Sequence, residues 1–116
     1  MKINKVLEVI FVCTKAGNEP VREWLKELPA EEKRIIGTQI KEVQWGWPMG
    51  MPLVRKLEGG LFEIRIPLSE TDRIARILFG LDKNKMVLLH GFIKKSQKIP
   101  GNEKKIAHQR WKNYKS

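Results

Sequence analysis

The spacing of hydrophobic residues predicts a strand followed by two helices in the first half of the chain. Val6 to Val12 is rich in β-branched residues, as strands are. From Pro20 the apolar residues recur at intervals of three and four, which predicts helices over Pro20–Leu28 and Ala30–Trp47. Pro29 separates the two because the residue before a proline avoids helical backbone angles. This segment is therefore predicted to be an α-hairpin.

Beyond Pro52 apolar and polar residues alternate, which indicates strands. The predicted strands are residues 53–57, 61–66, 73–81 and 86–93. The last strand is apolar on both faces and is predicted to lie inside the sheet. A closing helix follows Pro100 and ends near Tyr114. The order predicts an α+β fold with an N-terminal strand, an α-hairpin, a four-stranded antiparallel run and a C-terminal helix, in a single domain over residues 1–116.

The alternation also sorts the strand residues onto two faces of the sheet. Phe62, Ile64 and Ile66 would lie on one face, and the hairpin helices would cover one face of the sheet. The other face is expected to be partly open and to carry polar residues, namely Glu63, Arg65, Arg76 and His90. His90 is interpreted as a hydrogen-bonded sheet histidine, with a general base as the alternative. The four tryptophans are interpreted as core anchors, with base stacking as the alternative.

The chain carries a large excess of positive charge. Lys and Arg total 23 against 13 Asp and Glu, a net charge of +10 at pH 7. Such an excess attracts polyanions, so RNA, DNA, an anionic membrane surface and an acidic protein are candidate partners. The alternative is that the charge only aids solubility. The basic face of the closing helix could contact phosphates or could simply be solvated. The apolar stripe around Trp111 on the same helix is expected to pack on the sheet, with docking of a partner as the alternative.

The single cysteine, the two histidines and the short apolar run restrict the cellular location and the kinds of site that we expect. Cys13 is the only cysteine and lies in an apolar run, which predicts a small core residue in a reducing cytosol. Val6–Val12 is too short to span a membrane, so we expect a cytoplasmic protein without a membrane partner. Two distant histidines and the lack of a glycine-rich phosphate loop leave no candidate zinc or nucleotide site. No metal and no cofactor are expected.

Lysine and arginine side chains are the remaining groups that could catalyse a reaction. Arginine's planar fork suits the oxygen pair of a phosphodiester, and crowding lowers the pKa of a lysine so that it can accept a proton near neutral pH. Such a set could cleave RNA through attack of a ribose 2′-hydroxyl on the adjacent phosphorus, without a metal. The candidate catalytic residues are Arg65, Arg76, Lys94 and Lys95. The candidate RNA-binding residues are Arg55, Lys56, Arg73, Phe92 and Lys98. Solvated cations at strand ends are the alternative.

Three ordered blocks of the sequence resemble a known family. Lys56–Arg65 (KLEGGLFEIR) is similar to the K-L-x-x-G-L-[FYW]-E-[IL]-R stretch of the phage-derived, HigB-like branch of the RelE/ParE toxin superfamily. Arg73–Phe79 and Leu88–Pro100 resemble the two blocks that follow in that family, and Glu103–Ala107 resembles its closing E-x-x-x-A helix. The resemblance covers about Val21 to Trp111, and the three blocks together are specific.

The resemblance implies a RelE-like fold and the toxin of a type II toxin–antitoxin system, a ribosome-dependent mRNA endoribonuclease that inhibits translation. Arg65, Arg76, Lys94 and Lys95 match the family's basic positions, and Phe92 matches its aromatic one. The resemblance also implies two partners: mRNA on the ribosome, and a cognate antitoxin with a helix-turn-helix domain. Operator DNA would be contacted only through that antitoxin.

Other functions stay open at this stage. One branch of the superfamily poisons DNA gyrase, so a non-catalytic nucleic-acid-binding or gyrase-inhibiting protein is an alternative. A decayed phage protein that only pairs with an antitoxin is another. The cluster of Lys94, Lys95 and Lys98 favours the ribonuclease branch. Many superfamily members use a tyrosine or histidine near the C-terminus, but Tyr114 and His108 lie in no matching motif, so the general base and acid stay unassigned.

Overall fold

A computed structural model describes residues 7–68, 72–94 and 98–116. In this part of the chain the strands are β1 (Glu8–Phe11), β2 (Val54–Lys56), β3 (Leu61–Pro67), β4 (Ile74–Asp82) and β5 (Lys85–Lys94). The helices are α1 (Pro20–Lys26), α2 (Ala30–Gly46) and α3 (Gly101–Lys115). The predicted α+β class and the predicted order of elements are both confirmed.

The five strands of the described residues form one mixed sheet in the order β1-β5-β4-β3-β2. Strands β2 to β5 pair antiparallel, whereas β1 pairs with β5 in parallel, with Glu8 opposite Lys85. β5 therefore has a neighbour on both sides, as its apolar sequence predicted. This arrangement is compatible with a RelE-like fold.

Helices α1 and α2 cover one face of the sheet. α1 begins at Pro20, where the first turn needs no backbone N–H donor. Glu31 and Glu32 lie in the first turn of α2, where negative charge is favoured by the helix dipole. The apolar residues buried between these helices and the sheet are Val21, Ile36, Ile40, Val43, Ile64, Ile66, Ile77 and Phe79.

Helix α3 packs on the opposite face and closes much of it. Ala107 and Trp111 are buried there in a second apolar cluster whose sheet residues include Leu61, Leu78, Val87 and Leu89. Gly80 permits this approach, because a Cβ at that position would lie 2.8 Å from three atoms of the Trp111 ring. The expectation that the stripe around Trp111 packs on the chain's own sheet is confirmed. The expectation of a partly open face carrying Glu63 and Arg76 is wrong at these two residues, which are fully buried.

A bulge in β5 determines which side chains face α3. Leu78 lies opposite His90 and Phe79 lies opposite Leu88, so Leu89 is an extra residue in β5. Because of this extra residue, Leu89 and His90 are both on the α3 side, although they are consecutive. Gly91 then faces α1, where a Cβ would meet the ring of Trp24.

Two residues that the sequence predicted to be in the core are exposed. Cys13 is exposed because β1 ends at Phe11 and the chain leaves the sheet there. Trp45 is 65% exposed because it follows Val43 by two residues and so lies off the buried side of α2. The other described tryptophans are at least partly buried, as predicted.

Candidate functional site

The register of the sheet brings the sequence-predicted cations of β2, β3 and β4 onto two adjacent rows of the α3 face. Arg65 lies opposite Arg76, which lies opposite Phe92. In the next row Arg55 lies opposite Glu63. Positive charge is therefore concentrated at one end of this face, away from the part that Trp111 covers.

Three charged side chains of these rows form an Arg–Glu–Arg triad. Nη1 of Arg76 lies 2.7 Å from Oε2 of Glu63, and neither side chain is exposed. Nη2 of Arg55 lies 3.1 Å from Oε1 of the same carboxylate, and the side chain of Arg55 is 36% exposed. A charge is buried at tolerable cost only when it is paired, so Glu63 is what allows Arg76 to lie inside the protein. Arg76 was expected to project from an open face; the structure instead places it beneath the surface.

A cleft of about 310 Å³ lies beside the triad and is lined mainly by cations. Arg55 and Lys56 come from β2, Lys98 precedes α3, and Lys104 lies in the first turns of α3. We call these four residues the cationic cleft. Its remaining lining consists of Leu57, Glu58 and Ile99. The cleft brings together three of the sequence-predicted RNA-binding residues.

Lys104 was not among the predicted site residues. The sequence showed a basic closing helix but gave no sign of which of its lysines would approach β2. No local pattern marks Lys104, because its approach to β2 depends on the contact between its neighbour Glu103 and His90, which only the structure shows.

The other predicted catalytic residues are less closely grouped. Arg65 is half-buried and lines a shallow apolar groove with Pro52, Leu53 and Pro67. Lys94 is exposed at the end of β5, opposite Ile74. Lys95 lies outside the described residues.

Arg73 is not part of the cationic cleft. Its Nη1 lies 2.6 Å from Oε2 of Glu32, so it joins the segment before β4 to the first turn of α2. The side chain remains 42% exposed. Arg73 was predicted to bind RNA. Its pair with Glu32 instead holds it on the helical-hairpin side of the sheet, where the carboxylate offsets its charge.

Phe92 is buried rather than presented to solvent. Its side chain is 7% exposed and belongs to the apolar cluster that contains Ile99. Its ring stacks on His90 with centroids 5.6 Å apart and planes inclined by 29°. The prediction that Phe92 binds RNA therefore does not fit its position, because Phe92 already has an aromatic neighbour and little exposed surface.

His90 is held at both ring nitrogens. Nε2 lies 2.5 Å from Oε1 of Glu103, and Nη1 of Arg110 lies 3.3 Å from Nδ1. Since arginine can only donate, Nδ1 must accept, and Nε2 then carries the proton that it donates to Glu103. Arg110 also donates to the carbonyl oxygen of Leu89 at 2.9 Å, and burial lowers the pKa of its guanidinium. The interpretation of His90 as a hydrogen-bonded sheet histidine is confirmed.

Residues 7–68, 72–94 and 98–116 contain no group of three or more His, Cys, Asp or Glu side chains that could hold a metal ion. Within the same ranges, no helix has both the length and the apolar character that crossing a bilayer requires.

The fold and the cleft together define a small basic α+β protein whose cations converge beside a sheet, and the family comparison agrees. The model of the phage-derived Gp49-like protein family (DUF891) matches residues 23–112. The chain therefore belongs to the Gp49-like family, a family of RelE/HigB-like toxins. A comparison with curated proteins found no match.

Proposed function

We propose that this protein is the toxin of a type II toxin–antitoxin system and acts in the cytoplasm as a ribosome-dependent mRNA endoribonuclease. The observation that carries the proposal is the cationic cleft, where Arg55, Lys56, Lys98 and Lys104 line one concave surface. Like charges at close range repel, and a phosphodiester backbone would relieve that repulsion. Membership of the Gp49-like family supports the toxin assignment, and the sequence resemblance supports mRNA on the ribosome as substrate.

The proposed reaction needs only the substrate's own hydroxyl and the protein's cations. A ribose 2′-hydroxyl attacks the adjacent phosphorus, the bond to the 5′-oxygen breaks, and the upstream fragment ends in a 2′,3′-cyclic phosphate. The 2′-hydroxyl proton passes to a general base, for which Lys94 and Lys95 are the candidates, and the departing 5′-oxygen takes up a proton to become the hydroxyl of the downstream fragment. Arginine N–H groups stabilise the charge that develops on the phosphate oxygens, and Arg65 is the candidate for this role.

The burial of two predicted site residues changes the roles we propose for them. Arg76 supports the site through Glu63 and does not contact the phosphate directly. Phe92 supports the position of His90 and Ile99 rather than stacking on a base. Direct RNA contact is assigned to Arg55, Lys56, Lys98 and Lys104. Arg73 is not assigned to this surface, because it pairs with Glu32 on the other side of the sheet.

We propose that a cognate antitoxin with a helix-turn-helix domain neutralises this protein. The protein would contact operator DNA only through that antitoxin. A net charge of +10 favours an antitoxin that presents carboxylates to the cationic cleft or blocks access to it. The association rate of a co-purified antitoxin should then fall steeply as salt is raised. A rate that barely responds to salt would contradict the electrostatic part of this proposal.

The decisive experiment adds purified protein to ribosomes programmed with a defined mRNA and maps the ends of the products. We expect cleavage of A-site mRNA during translation, and a 2′,3′-cyclic phosphate on the upstream fragment. The matched variants are Lys98→Ala, in the cleft, and Lys41→Ala, an exposed lysine of α2 that removes the same charge elsewhere. Intact A-site mRNA with the wild-type protein would contradict the nuclease proposal, as would a 5′-phosphate on the downstream fragment.

One observation favours a non-catalytic alternative. The described lining of the cationic cleft includes neither Arg65 nor Lys94, so RNA held in the cleft would not contact these two candidate catalytic residues there. A basic protein that binds nucleic acid or inhibits gyrase without cleaving RNA would fit this arrangement. Unchanged mRNA together with loss of supercoiling in a gyrase assay would support that alternative.

A further inference from the structure

We infer that Glu63 is a positioning residue that holds the guanidinium of Arg55 at the cationic cleft, with Arg76 as the buried counter-ion. The inference rests on the proposed function, because it concerns how the cleft binds RNA. It adds a role for an acidic residue within a site otherwise defined by cations. The three residues lie on three neighbouring strands, β2, β3 and β4.

We assign the excess positive charge of the triad to Arg55. Within the triad two guanidiniums contact one carboxylate, so these three side chains together carry one net positive charge. Arg76 makes the shorter contact, 2.7 Å, and has no exposed surface, so it serves as the internal partner of Glu63. Arg55 is the member with exposed surface and the one that lines the cleft. Glu63 therefore offsets the buried charge while leaving the cleft positive.

The contact with Glu63 also fixes the orientation of Arg55. An arginine side chain has several rotatable bonds, and ordering it on binding costs conformational entropy. The ion pair between Nη2 and Oε1, which lie 3.1 Å apart, holds one side of the planar guanidinium before RNA arrives. The other side can then donate to phosphate oxygens as a fork. Preorganisation of this kind raises affinity without adding a contact to the ligand.

The register supports the same conclusion. Arg55 lies directly opposite Glu63 in the antiparallel pair of β2 and β3, so the two side chains leave the sheet as neighbours on one face. Arg76 lies opposite Arg65 and reaches Glu63 along the diagonal. Glu63 thus lies between Arg55 and Arg76 and contacts both.

The test removes the carboxylate together with the buried guanidinium that pairs with it. The double variant Glu63→Leu with Arg76→Leu replaces the buried pair by apolar residues of related size, a change that proteins often tolerate. Arg55→Ala is made in the wild-type and in the double-variant background. The measurement is the dissociation constant for a single-stranded RNA oligonucleotide, taken over a range of salt concentrations, with circular dichroism as the check of folding.

In the wild-type background Arg55→Ala should weaken RNA binding about tenfold, as expected when a charge-assisted hydrogen bond is lost. The double variant should weaken binding by a similar factor, and adding Arg55→Ala to it should change little further. If the double variant binds RNA as tightly as the wild type while Arg55→Ala weakens binding, the positioning role is overturned and the cleft survives as an RNA site. If Arg55→Ala leaves binding unchanged, the cleft itself fails as a site, and the positioning role fails with it.

A second measurement uses the wild-type protein and does not depend on the folding of any variant. Nuclear magnetic resonance of guanidinium groups reports how freely each arginine head rotates. Arg55 should show hindered rotation, whereas Arg34, whose pair with Glu31 lies on the surface with side chains 66% and 60% exposed, should rotate freely. Free rotation of Arg55 would overturn the inference.

Discussion

Oε1 of Glu103 lies 2.5 Å from Nε2 of His90, and this bond joins the first turn of α3 to β5 next to its bulge. The bond determines more than local stability, because the next residue of the helix is Lys104, which lines the cationic cleft. A histidine in the sheet thus contacts the start of the helix at the residue next to a cation of the candidate RNA site. Both side chains are 14% exposed, so water competes little for the bond.

The first prediction concerns this bond. Glu103→Ala should lower the free energy of unfolding by about 1–2 kcal/mol, because a partly buried hydrogen bond to a carboxylate is lost. The measurement is urea denaturation, with Gln109→Ala, an exposed change on the same helix, as the control. In a double-mutant cycle with His90→Ala the two effects should not add. Additive effects would show that the two residues act independently.

The second prediction concerns the close approach of Trp111 to Gly80. Gly80→Ala should destabilise the protein by about 1–3 kcal/mol, because the new methyl group would overlap the indole ring. The matched control is Gly37→Ala in α2, where a Cβ meets nothing within 4 Å and should add up to about 1 kcal/mol through helix propensity. Thermal unfolding of both variants is the measurement. Equal stability of the two would contradict the packing described here.

The third prediction separates structural from binding cations. Arg76→Ala should lower the free energy of unfolding by about 3–5 kcal/mol, because it leaves the buried carboxylate of Glu63 with Arg55 alone. Lys98→Ala should change stability by less than about 0.5 kcal/mol, since Lys98 is exposed. It should nevertheless weaken RNA binding and reduce the slope of log affinity against log salt by about one.

The control for this pair of variants is Lys41→Ala on α2, which should change neither quantity appreciably. A stable Arg76→Ala protein that has lost RNA binding would instead show that Arg76 contacts the RNA directly. If RNA binding loses its salt dependence to the same extent in all three variants, the cations act as a diffuse electrostatic field rather than as a defined site.

The fourth prediction concerns pH. Tyr114 donates a hydrogen bond to Oδ2 of Asp82 at 2.8 Å, and this bond, with burial and the nearby carboxylates, raises the pKa of the phenol above its ordinary value of about 10. The bond requires the protonated phenol, so its contribution to stability is complete below the ordinary pKa and is lost as pH rises through the raised one.

Tyr114 is the only tyrosine of the chain, so phenolate absorbance reports it alone. Its titration midpoint should lie above that of a free tyrosine, and Asp82→Ala should move the midpoint back toward it. A midpoint unchanged by Asp82→Ala would show that the hydrogen bond does not cause the shift. The unfolded protein provides the reference value in the same experiment.

The elements of the fold could be read from local patterns, and the structure confirms their order. The β-branched run at the N-terminus, the helical spacing after Pro20 and the alternation after Pro52 each depend on residues close together in the chain. The face on which Arg65 lies followed from the same alternation. The net charge of +10 and the blocks that resemble the toxin family were likewise available without coordinates.

The tertiary structure decided which of these residues meet and which are exposed. In the alternation along their strands, Arg76 and Phe92 occupy positions where surface residues are expected. Arg76 is nevertheless buried beside Glu63, and Phe92 is buried in the cluster that contains Ile99. Arg55 and Lys104 are far apart in sequence and share a cleft only because Trp111 and Glu103 dock α3 on the sheet. The physical reason is that periodicity arises from backbone geometry over a few residues, whereas burial and charge pairing depend on register and on contacts between distant segments, which local spacing does not specify.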